Sequence, residues 1–197
     1  MIITQINVAD FGIDIQELNP VINSFIKSNL SKKVREFNMD SERAASITPF
    51  NLHTFNNEAV TKILELVLSI TPRVAITFAL DAMIDDDKYD KILNHTLNTG
   101  RWNPEGFHLE ECWGIVYNGR QGVSPHNHFP SSISFSYYSK ADKNSAPLNV
   151  DGEEIPAKEG CLTMFSAHST HWVNADDNES EERIALVGNL EYHGFIS

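Results

Sequence analysis

Ser124-Pro125-His126-Asn127-His128-Phe129-Pro130-Ser131-Ser132-Ile133-Ser134-Phe135-Ser136-Tyr137-Tyr138 sets two histidines, two positions apart, directly ahead of a run rich in aromatic and β-branched residues. In an extended segment, residues i and i+2 project to one side, so His126 and His128 can both reach an ion beside a strand end. His171 stands 45 positions after His126, at the head of another short β-rich run, and would bring a ligand from a distant strand. Arg183 follows twelve positions later. Two imidazoles plus one further group, with coordination positions left open, suit a reactive metal rather than a closed structural one. The further group is usually a carboxylate, and here its place, two after the first histidine, holds His128.

Outward from this stretch, the chain changes character after Asn103-Pro104-Glu105-Gly106. His108–Tyr117, Ile133–Ser139, Gly160–Phe165, His171–Asn174 and Arg183–Tyr192 read as short strands separated by turn signals. Val150-Asp151-Gly152-Glu153 reads as a hairpin turn, because Asp-Gly tolerates positive φ. Asp176-Asp177-Asn178-Glu179 reads as a solvated hairpin tip. Earlier in the chain, Ile2–Ile15 begins with a strand. Ile15, Leu18, Val21, Ile22 and Phe25 then repeat at helical spacing to about Leu30, with Pro20 as a weak point. Lys32–Asn56 is irregular and polar. Val60, Ile63, Leu64, Leu66, Val67 and Ile70 fit a second helix, which Pro72 should end. Val74–Met83 is a buried strand or more helix. Asp85-Asp86-Asp87 lacks the glycine and distal glutamate of a calcium loop and reads as a solvated turn or helix start. The expected fold class is mainly β with N-terminal helices (α+β). Residues 1–107 form a helical part packed on a β-sandwich or barrel of residues 108–197, one domain overall.

Composition narrows the classes of partner. The 27 acidic against 15 basic residues give a formal charge of −12, which argues against a nucleic-acid-backbone or anionic-membrane surface, since phosphates must be met by clustered Lys and Arg. No stretch approaches the ~20 apolar residues of a membrane span, and the start has no basic, signal-like region, so a cytoplasmic protein is expected. Cys112 and Cys161 lie in apolar stretches and read as reduced core thiols.

The C-terminal half, roughly residues 108–192, resembles the 2-oxoglutarate/Fe(II)-dependent oxygenase superfamily, especially a bacterial and phage group with a His-Asn-His-Pro motif followed by a Ser-rich strand with paired tyrosines. The resemblance is carried by Ser124–Tyr138, by Pro156–Ser166 leading to His171, and by Glu182-Arg183-Ile184-Ala185-Leu186-Val187-Gly188-Asn189. It implies a double-stranded β-helix, the cupin-like jelly roll, with the metal at its open end. It further implies Fe(II) held by His126, His128 and His171, 2-oxoglutarate anchored by Arg183, and ascorbate as an accessory reductant. Tyr137 or Tyr138 would give the same carboxylate a hydroxyl, and alternation allows only one of them to point inward. Asn189 shares the inward face of the Arg183 strand with Ala185 and Val187 and joins the expected cosubstrate residues. The activity implied is hydroxylation of a small-molecule or peptide substrate, coupled to decarboxylation of 2-oxoglutarate.

Each assignment has a competitor. His126 and His128 could be loop histidines, and Arg183 could pair in solvent with Glu181 or Glu182. His168, three before His171, could complete a closed zinc site. His128 could stand aside in favour of water or of Glu110 or Glu111. Trp113 and Trp172 read as core or pocket walls, and His53, His95, His108 and His193 as surface or capping residues. Two other functions stay open: a three-histidine dioxygenase without a cosubstrate, and a non-catalytic jelly-roll binding or assembly module with a structural metal. No motif of residues 1–107 names the substrate, and an oligomer stays open, with the apolar helix from Val60 to Ile70 readable as core or as an interface.

Overall fold

Alternation along one strand, Arg183–Tyr192, sorts the molecule into layers. Ile184, Leu186 and Leu190 join a core beneath the helices, whereas Ala185 and Val187 join a second core on the opposite face. The computed structural model describes residues 3–33, 43–81 and 106–193. In chain order these form β1 (Thr4–Asn7), α1 (Ile15–Ser28), β2 (Lys32–Lys33), β3 (Ser46–Ile47), α2 (Glu58–Asp81), β4 (Phe107–Tyr117), β5 (Val123–His126), β6 (Ile133–Lys140), β7 (Leu148–Val150), β8 (Glu153–Ile155), β9 (Cys161–Ser166), β10 (His171–Val173) and β11 (Arg183–Tyr192). A seven-stranded sheet runs β1-β9-β6-β11-β4-β3-β2, and a four-stranded sheet runs β5-β10-β7-β8. Every strand pairing within them is antiparallel. Val123, Leu148, Val150 and Val173 of the small sheet pack against Trp113, Ile115, Tyr138, Phe165 and Ala185 of the large one. Two sheets closed on a shared core form a double-stranded β-helix.

Helix α1 starts where Asp14 accepts the Gln16 and Glu17 amides, and it buries Leu18, Ile22 and Ile26 on one face. Pro20 is accommodated, because near the helix start it forfeits a single backbone bond. The helix lies so close to the sheet that a Cβ on Gly114 would stand 2.5 Å from Ile26. Helix α2 starts at Asn57, whose side chain accepts the Ala59 and Val60 amides. It does not end at Pro72, contrary to the expectation. An interior proline costs about 3 kcal/mol, but burying Val74 and Ile76 beyond it returns about 1.5–3 kcal/mol each. Hydroxyls of Ser69 and Thr71 donate to the Leu66 and Val67 carbonyls beside the interruption. Val74 onward is therefore helix as far as Asp81.

The stretch expected to be irregular contributes β2 and β3 to the large sheet, with β3 on β4. Strand β1 pairs with β9, so the N-terminal part enters the same sheet as the rest and is more than a helical cap. The hairpin turn stands as read: Asp151 and Gly152 have φ of 47° and 91° between the paired Val150 and Glu153. Asp176–Glu179 is not a hairpin tip, because β10 and β11 belong to different sheets. Asn178 there is buried, accepting from the Ala146 amide and donating to the Gly119 carbonyl. Cys112 is a buried free thiol and Cys161 a half-buried one. Asp85–Asp87 and His95 lie outside the described residues. Among the described residues no helix is long and apolar enough to cross a membrane.

Candidate metal centre

Strands β5 and β10 are neighbours in the small sheet, and their register sets His126 directly opposite His171. His128 follows β5 by two residues, its backbone N–H donating to Ala167. The three ring centroids lie 4.3, 4.9 and 5.0 Å apart. One nitrogen from each falls within 4.8 Å of the others, so modest ring rotation brings all three to one ion at the ~2.1 Å of a metal–imidazole bond.

Two of the rings are already aimed. His126 Nδ1 lies 2.8 Å from the Ser124 carbonyl, and His171 Nδ1 lies 3.0 Å from the Ser169 carbonyl. A carbonyl can only accept, so each Nδ1 carries the proton and each Nε2 keeps its lone pair for a metal. Burial, and secondarily the neighbouring His126, push His171 down to about 3 and His128 down to about 4. Both are therefore neutral near pH 7, the form that binds an ion. Trp113 meets His128 edge-on, and Phe165 does the same to His171. Trp113 is thus a wall of the site, and Trp172 also lines the cavity.

Arg183 begins β11 in the same cavity. It is buried, and its Nε and Nη1 have no hydrogen-bond partner. Its guanidinium lies over the rings of Tyr117 and Tyr138, 4.5 and 5.2 Å from their centroids. It is not a solvated partner of its acidic neighbours, since Glu182 is taken by Lys27 and Lys140 and Glu181 is exposed. A buried guanidinium with unused donors is costly to hold, and its planar fork complements a carboxylate.

The paired tyrosines separate as alternation requires. Tyr138 points inward, buried, its hydroxyl without a partner. Tyr137 points to the helices and donates to Asn19 Oδ1 on α1, so it does not reach the cavity; this corrects its inclusion among the cosubstrate residues. A second correction concerns Asn189. It lines the cavity, accepting from the Ser134 hydroxyl and donating to Glu111. It stands six residues along β11 from Arg183, about 20 Å of extended chain, so one small dicarboxylate cannot touch both. His168 is exposed and packs at a tilt against Phe129, outside the triad, so among the described residues no closed four-histidine set is assembled. Among the described residues neither Glu110 nor Glu111 joins the histidine group. Sequence reading missed Tyr117, although it has the inward parity of Trp113 and pairs with Arg183 across the sheet.

No protein-family model matches the chain, and no curated protein sequence does. Solved structures do match it. A Pseudomonas putida prolyl-4-hydroxylase superposes with a TM-score of 0.59 at 15% identity, over 98% of this chain and 93% of that one. The viral collagen prolyl hydroxylase of Paramecium Bursaria Chlorella virus-1, solved with 2-oxoglutarate, gives 0.58 at 14%, over 99% and 96%. SnoN, the non-heme alpha-ketoglutarate-dependent epimerase of nogalamycin biosynthesis, gives 0.57 at 12%, over 96% and 77%. This chain has the double-stranded β-helix fold of the 2-oxoglutarate/Fe(II)-dependent oxygenases.

Proposed function

We propose that the protein is an Fe(II)/2-oxoglutarate-dependent oxygenase that hydroxylates a second substrate. The observation that carries this reading is the buried Arg183, its donors unused, in one cavity with three histidines poised to ligate. His126, His128 and His171 hold the ion. Arg183 would take the far carboxylate of 2-oxoglutarate in two charge-assisted bonds, and the Tyr138 hydroxyl, also without a protein partner, would be a further donor to it. Ferrous iron, when bound, supplies the activation of dioxygen.

The chain's own residues orient and shield. Trp113, Phe165 and Ile115 wall the cavity with apolar surface, which strengthens each polar contact inside it. With His128 in the usual carboxylate place, the centre carries one more positive charge than a two-histidine, one-carboxylate site.

The test is anaerobic titration of 2-oxoglutarate into protein loaded with Fe(II), following the visible charge-transfer band of a chelated keto acid. Wild type should show the band, and Arg183→Met should require at least about tenfold more 2-oxoglutarate to reach it. Turnover indifferent to 2-oxoglutarate would select the three-histidine dioxygenase. Zinc bound at one per chain, with unfolding on chelation, would select the binding or assembly module.

A further inference from the structure

The inward rows of the large sheet give the cavity two chemically opposite ends. Register across β4, β11 and β6 stacks Tyr117 with Arg183, then Ile115 with Ala185 and Tyr138, then Trp113 with Val187 and Ser136, then Glu111 with Asn189 and Ser134. Successive inward positions on a strand are about 6.6 Å apart. Trp113 of the third row meets His128, and Phe165, the register partner of Ser134 in the fourth row, meets His171, so the histidine centre sits level with the third and fourth rows. Arg183 lies at the opposite end of the cavity from the fourth row.

The fourth row is a built polar unit. Asn189 and Ser134 are almost fully buried, and the Ser134 hydroxyl donates to Asn189 Oδ1 at 2.8 Å. With its oxygen so occupied, the Asn189 amide nitrogen donates to Glu111 Oε2 at 3.3 Å. Glu111 is exposed within β4, where the β4–β11 register shifts. A carboxylate is purely an acceptor, and one amide donor leaves most of its lone pairs open. Glu110 and Glu191, nearby on the same two strands, form a separate group around His193, at 3.5 and 3.2 Å from its Nε2.

We infer that Glu111, held by Asn189 and Ser134, is the specificity-determining residue for the second substrate and receives a cationic nitrogen on it. The inference rests on the oxygenase reading and deepens it. The substrate enters from the Glu111 end, its charged nitrogen stays at the rim against the carboxylate, and an uncharged portion reaches the centre beside Trp113. A substrate anionic at that position would be repelled.

The test uses N-acetyl-L-lysine amide and its neutral analogue N-acetyl-L-norleucine amide. Each is titrated anaerobically into wild-type protein loaded with Fe(II) and 2-oxoglutarate, and the shift of the charge-transfer band gives a Kd. The lysine probe should bind about tenfold more tightly than the norleucine probe, as a charge-assisted hydrogen bond implies. Glu111→Gln should bring the two within about twofold, and Glu111→Lys should invert the order. Equal affinities in wild type, no binding of the lysine probe, or a preference that survives Glu111→Gln would overturn the inference. Failure of the band to form in wild type would instead sink the oxygenase reading itself.

Discussion

The two faces of the seven-stranded sheet are made by the same strands and do opposite work. On the outer face, Ile133, Phe135, Tyr137, Leu162, Met164, Ile184 and Leu186 are closed off by α1 and α2, and the one buried hydroxyl among them is paired. On the inner face, the same strands present Trp113, Tyr138, Phe165 and Arg183, and two of these carry buried polar atoms without partners. The outer face is satisfied by the protein alone. The inner face is complementary to something else, and the difference of one residue in the β repeat decides which side a group joins.

The largest expected effect breaks this contrast at Arg183. Replacing it with Met keeps volume and removes a buried charge with unused donors. Metal-free Arg183→Met should therefore gain about 1–4 kcal/mol in urea unfolding, although it loses the cation–π contacts with Tyr117 and Tyr138. A stability gain together with weakened 2-oxoglutarate binding would mark the residue as held for a ligand. A clear loss of stability would mean that Arg183 serves the fold.

Gly114→Ala addresses the outer face. The added Cβ would press on the Ile26 side chain at 2.5 Å, and overpacking of this kind costs about 1–3 kcal/mol. The charge-transfer titration midpoint should stay within about twofold of wild type, because Gly114 faces away from the cavity; a larger shift would show the two faces to be coupled.

The finest test compares adjacent residues. Tyr137→Phe removes the bond to Asn19 and should cost about 1 kcal/mol of stability, with no change in 2-oxoglutarate affinity. Tyr138→Phe removes a hydroxyl that has no protein partner, so its stability should be unchanged or slightly higher while 2-oxoglutarate binding weakens. Identical behaviour of the two variants would erase the distinction between the faces.

Much of this architecture was legible in residue patterns because those patterns are local. The runs at His108–Tyr117, Ile133–Ser139 and Arg183–Tyr192 have enough aromatic and β-branched residues to declare strands, and Asp151-Gly152 declares its own turn. The helical spacing from Ile15 did the same for α1, and the short His-x-His spacing pointed to the histidines that the fold gathers with His171. What was not legible depends on distant partners. Strands β2, β3, β5 and β7 are two to four residues long and exist because a neighbouring strand completes them. Pro72 stays helical because of the sheet beneath α2. Tyr137 and Tyr138 have identical side chains, and only the location of the helices distinguishes them.

The carbonyls that hold His126 and His171 belong to Ser124 and Ser169, each two residues back along the same chain. Each ring is thus aimed by its own backbone, His126 from within β5 and His171 from the turn ahead of β10, and neither needs an ion for its direction. On the proposed reading such a site would behave as a socket: an entering cation would shed water and turn the rings modestly, without the backbone searching for a geometry. Chelation and reloading would then be routine operations on an intact fold, and ferrous iron, cobalt and zinc would compete for one prearranged opening by supply as well as by affinity.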